Sequence, residues 1–455
     1  MILLPLLLGI VPQTPPSAPA LLALPEGWRH ERMDFPLSFA PEIAWRGFED
    51  LSFAPGMFKL GSDSYFSYAL ALRLDGEVEV DEGVLTRFLE TYYRGLYHAV
   101  AEGKNFKNDE KTIHASVRRE GADFRATVST FDPFTNGGAL ELALEISTHD
   151  APRSTELLGL ASPLKSAAPI WKQLHEIGNA WHATRPASVY LNHVFAVVDQ
   201  ETYDAFAQSK FLREEFAVSE QRTTKRADIS YTGLYFYGQR TYFEFLAPES
   251  SAGFVAGNSG VGLGVEGIGD LVQFAHALEK RDVPSQSAPI TRELAGEQLP
   301  WFKILGIDMP SASLTLFGME YEPAFLERWH PDRPLNQPML ARSDVLARYA
   351  AVLKRSDFRA KSPFRDLREV QLSLDDAQRE RMLAVCVTAG YEVEKSSDSW
   401  KVFGPQFQFL LRSSSESGGV TAIELELREP IERGPLHLGH ATITFRGKLA
   451  TIQLK

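Results

Sequence analysis

A unit of strand, tight corner and helix recurs three times in the C-terminal part of this 455-residue chain, and that recurrence limits the folds open to it. It first runs from Val189 to Val198, turns at Asp199 and enters a helix to about Leu212. It returns as Val261–Val265, a corner over Glu266–Gly269 and a helix over Asp270–Arg281. Its third copy is Leu367–Leu374, Asp375 and a helix to Thr388. Short strand-like runs follow each copy: 219–224, 230–237 and 241–246 after the first, and 290–294, 301–307 and 313–321 after the second. After the third come 391–394, 400–403, 407–412, 420–427 and 441–445. A repeat of roughly 70–100 residues is longer than a solenoid period, so it predicts duplicated βαβββ modules. The proline-rich stretch Pro331–Pro338 reads as a linker between the second and third modules, followed by a helix over Ser343–Lys354.

Upstream, residues 24–182 read as an α+β domain of open role. Tyr65–Leu74 and Ala115–Thr130 are strand-like. Asp81–Ala101 carries apolar residues at helical spacing, and Asn136-Gly137 is a hairpin signal before Ala139–Ser147. Pro169–Trp181 is a short amphipathic helix. The expected fold class is therefore α+β. An N-terminal domain precedes a paired βαβββ domain over 187–330, whose strands form a cupped mixed sheet, and a third βαβββ-like module over 343–455. That third module either packs on the pair or pairs with a second copy of the chain.

Composition narrows function further. The net charge of −12 argues against a nucleic-acid partner and against a polybasic membrane patch. Cys386 is the single cysteine, so neither an intrachain disulfide nor a thiolate metal cluster can form, and its apolar helical setting makes it a buried small side chain. Met1–Val11 has the length of a signal-peptide apolar region and is too short to span a membrane. With Ser17-Ala18-Pro19-Ala20 behind it, residues 1–20 predict export to the periplasm or the outside, with no membrane insertion after removal.

Motifs are sparse. Gly262-Leu263-Gly264-Val265-Glu266-Gly267 matches G-x-G-x-x-G, but its glycines fall within a strand and its corner, not between strand and helix. Position says more. His193 lies in the first strand of module one and Glu244 in its last strand; Glu320 lies in the last strand of module two. Side chains alternate faces along a strand, so His193 shares a face with Phe195, Glu244 with Tyr242, and Glu320 with Leu316. A carboxylate among apolar neighbours is costly to bury unpaired, which calls for a cation, an arginine or a raised pKa.

The order of elements, with a His on a first strand and a Glu on both fourth strands, resembles the vicinal-oxygen-chelate superfamily of glyoxalases, extradiol dioxygenases and bleomycin-resistance proteins. The segments LNHVFAVVD, FLREEF and YFEFL are also similar to uncharacterised bacterial proteins. The superfamily resemblance implies a cup holding a divalent metal such as Zn, Mn, Ni or Fe, with His193, Glu244 and Glu320 as ligands. It places the fourth usual position at or near Val261, which cannot coordinate, with His330 as a loop substitute. Phe195, Tyr242 and Leu316 would line the pocket for a small-molecule partner. The function so implied is a metal-dependent lyase, isomerase or hydrolase for a small oxygen-rich molecule. The alternatives are a metal-free binding or sequestering protein, with the glutamates answered by arginines such as Arg222 or Arg240, and a scaffold for interaction.

Overall fold

Each strand–helix corner exposes the first amide groups of its helix, and the chain satisfies them in two ways. Asp199 accepts from Thr202 N at 3.0 Å, and Asp375 accepts from Gln378 N at 2.8 Å while the Gln378 side chain reaches back to Asp375 N at 3.3 Å. The middle corner has Gly269 at this position, with φ of 90° and no side chain to offer. There Glu320 takes over the role from a neighbouring strand, accepting from Gly269 N at 2.9 Å and Leu271 N at 3.0 Å.

These corners belong to a computed structural model that describes residues 20–120, 123–185, 187–225, 229–248, 253–322, 325, 328–329 and 341–454. The apolar run Met1–Val11, the stretch Pro331–Pro338 and His330 lie outside the described residues. The chain divides into two compact units, one comprising residues to 150 with 154–186, the other residues 151–153 with 187–455.

The N-terminal unit is a seven-stranded sheet. Its strands are β1 (Arg29–Asp34), β2 (Gly47–Phe53), β3 (Tyr68–Asp75), β4 (His114–Glu120), β5 (Asp123–Phe131), β6 (Ala139–Ala151) and β7 (Ser154–Ser162), in the order β1-β2-β3-β7-β6-β5-β4. Helix Glu82–Ala101 buries Leu85, Phe88 and Leu89 with Leu70 and Leu72. Helix Pro169–Ala183 buries Trp171, Leu174 and Trp181 with Ala69 and Ala71. Alternation along β3 thus assigns each helix its own face of the sheet.

The second unit holds two eight-stranded sheets. The central one contains β8 (Tyr190–Val197), β9 (Val218–Lys225), β10 (Ser230–Tyr237), β11 (Tyr242–Leu246), β12 (Ser259–Gly264), β13 (Ser285–Leu294), β14 (Glu297–Ile307) and β15 (Leu314–Tyr321). Its order is β13-β14-β15-β12-β8-β11-β10-β9, with β8 antiparallel to β12 at the centre. Helices Gln200–Gln208 and Asp270–Glu279 follow β8 and β12. The C-terminal sheet contains β16 (Phe364–Leu374), β17 (Glu392–Lys395), β18 (Ser399–Gly404), β19 (Phe407–Ser413), β20 (Val420–Leu427), β21 (Leu436–Leu438), β22 (Ala441–Arg446) and β23 (Leu449–Gln453).

Its order, β17-β18-β19-β16-β20-β23-β22-β21, repeats the central pattern strand for strand. The difference lies after β20, where no helix intervenes before β21. A parallel neighbour needs a long crossover, and β23 accordingly pairs antiparallel with β20, whereas β15 pairs parallel with β12. The third module therefore continues into a fourth, helix-free half. Both sheets contribute to one apolar core: Val194, Phe243, Val261 and Leu316 of the central sheet join Val370, Leu372, Phe409 and Ile423 of the C-terminal one.

Candidate functional site

Register decides which side chains share a face of the central sheet. His193 pairs with Tyr242 on β11 and with Gly262 on β12, and Gly262 pairs with Phe317 on β15. Glu244 pairs with Phe195 on β8 and Tyr235 on β10. His193, Phe195, Tyr242, Glu244, Tyr235 and Phe317 thus face one way. Val261 pairs with Leu316 and faces the other way, into the core beneath the helices.

Glu320 shares Leu316's face, since the two are four residues apart on one strand. Its carboxylate is spent on the amides of Gly269 and Leu271, with Lys303 Nζ 3.8 Å away. The expectation that Glu320 and Leu316 meet His193 is corrected here: both turn to the helix side of the sheet. The position opposite His193 is Gly262, not Val261. The arginines anticipated as partners also divide. Arg222 lies in the His193 face, while Arg240 pairs with Asp366 at 3.2 Å at the start of β16.

The His193 face is shaped by a bulge and a row of glycines. Register shifts between Gly262 and Leu263, so Asn192 joins His193 on the same face. His193 Nδ1–H donates to Asn192 Oδ1 at 2.9 Å, which leaves Nε2 as the acceptor nitrogen. A Cβ on Gly262 would come within 2.6 Å of His193 Cε1, and one on Gly260 within 2.1 Å of Phe195 Cε1. The alternating glycines of β12 therefore make room for the rings of β8. This is the packing reason for the G-x-G-x-x-G match, in place of a nucleotide loop.

Packing of the rings sets the electrostatics. The His193 imidazole stacks on Tyr242 at 4.5 Å with 9° between planes and meets Phe317 edge-on at 5.5 Å. Burial pushes its pKa down to about 3, so the ring is neutral at neutral pH. Burial pushes the Glu244 carboxyl up to about 7, against the opposing pull of Arg222 and the Tyr235 hydroxyl. Arg222 donates to Glu220 at 2.6 Å and to the Tyr237 hydroxyl at 3.1 Å, and lies 4.2 Å over the Tyr235 ring.

This face is covered by helix Arg342–Val352, whose Val345, Leu346 and Tyr349 pack with Tyr235, Tyr237, Phe317 and Trp329. Tyr349 and its hydrogen-bond partner Arg292 were not singled out from sequence. Tyr349 follows ordinary helical spacing, and nothing in its neighbours shows which sheet face the helix will cover. Cavities of about 360 and 330 Å³ lie elsewhere, one between Asp199, Asn258 and His440, the other beside Arg213 and Arg355.

The donor set on this face can be tested against a divalent metal. Of the three ligands that the sequence resemblance implies, His193 and Glu244 face this way and Glu320 does not; Gly262 stands beside His193, and Phe317 is on this face of β15. Among the described residues, no group of three or more His, Cys, Asp or Glu side chains is placed to hold an ion. Two protein ligands do not fit a resident catalytic metal, which ordinarily has three.

The model for a "Family of unknown function (DUF5829)" matches residues 191–454. No curated protein matches the chain. Similar solved structures include a hypothetical protein from Staphylococcus aureus, 11% identical, covering 50% of this chain and 88% of that one with a TM-score of 0.32. The Mn(II)-bound glyoxalase from Novosphingobium aromaticivorans is 10% identical, covering 58% of this chain and 81% of that one, also with a TM-score of 0.32. A 2,3-dioxygenase from Pseudomonas sp. KL28 is 11% identical, covering 52% of this chain and 74% of that one with a TM-score of 0.30. No helix among the described residues is long and apolar enough to cross a membrane.

Proposed function

The chain belongs to DUF5829, a family of unknown function, and from that premise we propose that the His193 face of its central sheet binds a small organic molecule without a resident metal. One observation carries this reading: the His193 imidazole and the Glu244 carboxyl stand on the same buried face among aromatic rings, where burial keeps the first neutral and raises the second to about 7. Perturbed groups of this kind gather at ligand sites because burial there serves chemistry at some cost in stability. His193 Nε2 is free to accept a hydrogen bond, since Nδ1 is committed to Asn192. Glu244, near its midpoint at neutral pH, serves as donor or acceptor. Tyr242 and Phe195 wall the site beside them.

Glu244, near its midpoint at neutral pH, is the group that can move a proton to or from a bound molecule, as a lyase or isomerase needs, while His193 Nε2 accepts a hydrogen bond from that molecule and orients it. The metal-dependent form of that chemistry lacks its third protein donor here, because Glu320 caps a helix. Export, carried by Met1–Val11, remains part of the proposal.

The test is a thermal-shift screen of the full chain against a panel of small organic molecules, with and without a chelator. The expected result is a ligand-dependent rise in melting temperature that ignores the chelator. The rise is lost in His193→Phe and Glu244→Gln. A panel that shifts nothing, or a shift that both variants keep, overturns the reading.

A further inference from the structure

One cation on the edge strand β13, beside the covering helix, has an unusual partner. Arg292 Nη1 donates to the Tyr349 hydroxyl at 3.2 Å, and its guanidinium lies 4.9 Å from the centre of the Trp301 ring. Among the described residues, no carboxylate forms an ion pair with it. Arg222 is different, because Glu220 neutralises it at 2.6 Å. A part-buried guanidinium answered by a neutral hydroxyl is a position where an anionic oxygen would bind better, with two parallel hydrogen bonds in place of one.

The side chain now holding that position is an aromatic ring. Tyr349 stacks on Tyr237 at 5.0 Å with 13° between planes and meets Trp329 at 4.6 Å. The Arg222 guanidinium lies 5.1 Å from its ring centre. Ring stack, cation over the face and hydrogen bond to an oxygen together make the environment of a bound phenol, supplied by the chain itself.

We propose that Tyr349 is an internal stand-in for the ligand, and that the ligand is a small aromatic molecule bearing an anionic oxygen group. Its ring replaces that of Tyr349 on Tyr237, and its carboxylate or phenolate replaces the hydroxyl on Arg292. This rests on the proposed binding role of the His193 face, and adds to it a ligand class and an occupant that must yield. The helix carrying Tyr349 is held at its start by Arg342, which donates to Glu266 at 3.1 Å and to the Leu191 carbonyl at 2.7 Å. Beyond its end, Arg359 donates to the Gln239 carbonyl at 2.9 Å. Exchange of Tyr349 for a ligand is a local movement between these anchors.

Isothermal titration of the full chain with 4-hydroxybenzoate tests this, with benzyl alcohol (ring, no charge) and acetate (charge, no ring) as controls. Tyr349→Ala removes the competitor, so 4-hydroxybenzoate should bind it about tenfold or more tighter than wild type. Tyr349→Phe keeps the stack, frees Arg292 and should gain severalfold, which preserves the test if the alanine variant fails to fold. Arg292→Gln should weaken 4-hydroxybenzoate by about tenfold or more and leave benzyl alcohol unchanged. Equal affinity in wild type and both Tyr349 variants, or binding indifferent to Arg292→Gln, overturns the inference. If other ligands bind in a His193-dependent way while aromatic anions do not, the inference fails and the binding role stands. If no ligand binds any variant, both fail.

Discussion

Replacing Glu320 by alanine should destabilise the second unit through one helix terminus and leave the His193 face intact. Glu320 is 4% exposed and accepts from two backbone amides, Gly269 N at 2.9 Å and Leu271 N at 3.0 Å. Loss of a capping acceptor ordinarily costs about 0.5–2 kcal/mol. Here the Leu271 amide is also buried, and a buried donor left without a partner adds about 1–3 kcal/mol. Lys303, at 3.8 Å and part exposed, adds little. The two costs overlap, so the expected loss is about 2–3 kcal/mol, equivalent to roughly 3–6 °C in melting temperature for a unit of this size. Glu320→Gln keeps an acceptor and should lose about half as much. Calorimetry reads the stability, and amide exchange at Gly269 and Leu271 reads the cap. A Glu320→Ala protein that melts with wild type and keeps both amides protected refutes the capping role.

Gly262→Ala places a methyl 2.6 Å from His193 Cε1, and such overpacking should cost about 1–3 kcal/mol in chemical denaturation, with a shift of the His193 ring resonances. Gly434→Ala, with open space around its Cβ, is the control that should change neither. His193 binds its proton only near pH 3 when folded and near 6.5 when unfolded, so its contribution is fully present above 6.5 and lost as pH falls toward 3. Stability should decline there by up to about 1.4 kcal/mol per pH unit. His193→Phe should flatten that decline in urea denaturation between pH 6.5 and 4; an unchanged slope would show that the ring is not buried neutral. Glu244 works the opposite way, its contribution being present below pH 4.5 and lost as pH rises to about 7, and Glu244→Gln should remove that loss.

Much of this arrangement is written locally in the chain. Asp199 and Asp375 mark helix starts because a short carboxylate fits the first free amides, and both do so. The middle corner carried its own signal: a helix opening at Gly269 has no cap in its sequence, so a partner had to come from elsewhere. Alternation correctly groups His193 with Phe195 and Glu320 with Leu316. It does not say whether those two groups meet, because every strand offers two faces and only pairing joins them. The bulge at Gly262 and Leu263 shifts the central pairing by a residue, and an apolar strand carries no local mark of it. Val261 lies before that shift and pairs with Val194, so the residue beside His193 is its neighbour Gly262, one position from where element order alone put it. The covering of the site by Tyr349 depends on packing between segments more than a hundred residues apart, which periodicity does not encode.

The account stands on His193 and Glu244 forming a site that excludes Glu320, and metal titration of the full chain with Zn²⁺ and Mn²⁺ tests it most directly. Wild type, His193→Ala, Glu244→Gln and Glu320→Gln would be compared under identical conditions. The account predicts no stoichiometric binding that depends on Glu320. One equivalent of tightly bound metal, lost on substitution of His193 and equally on substitution of Glu320, would contradict it.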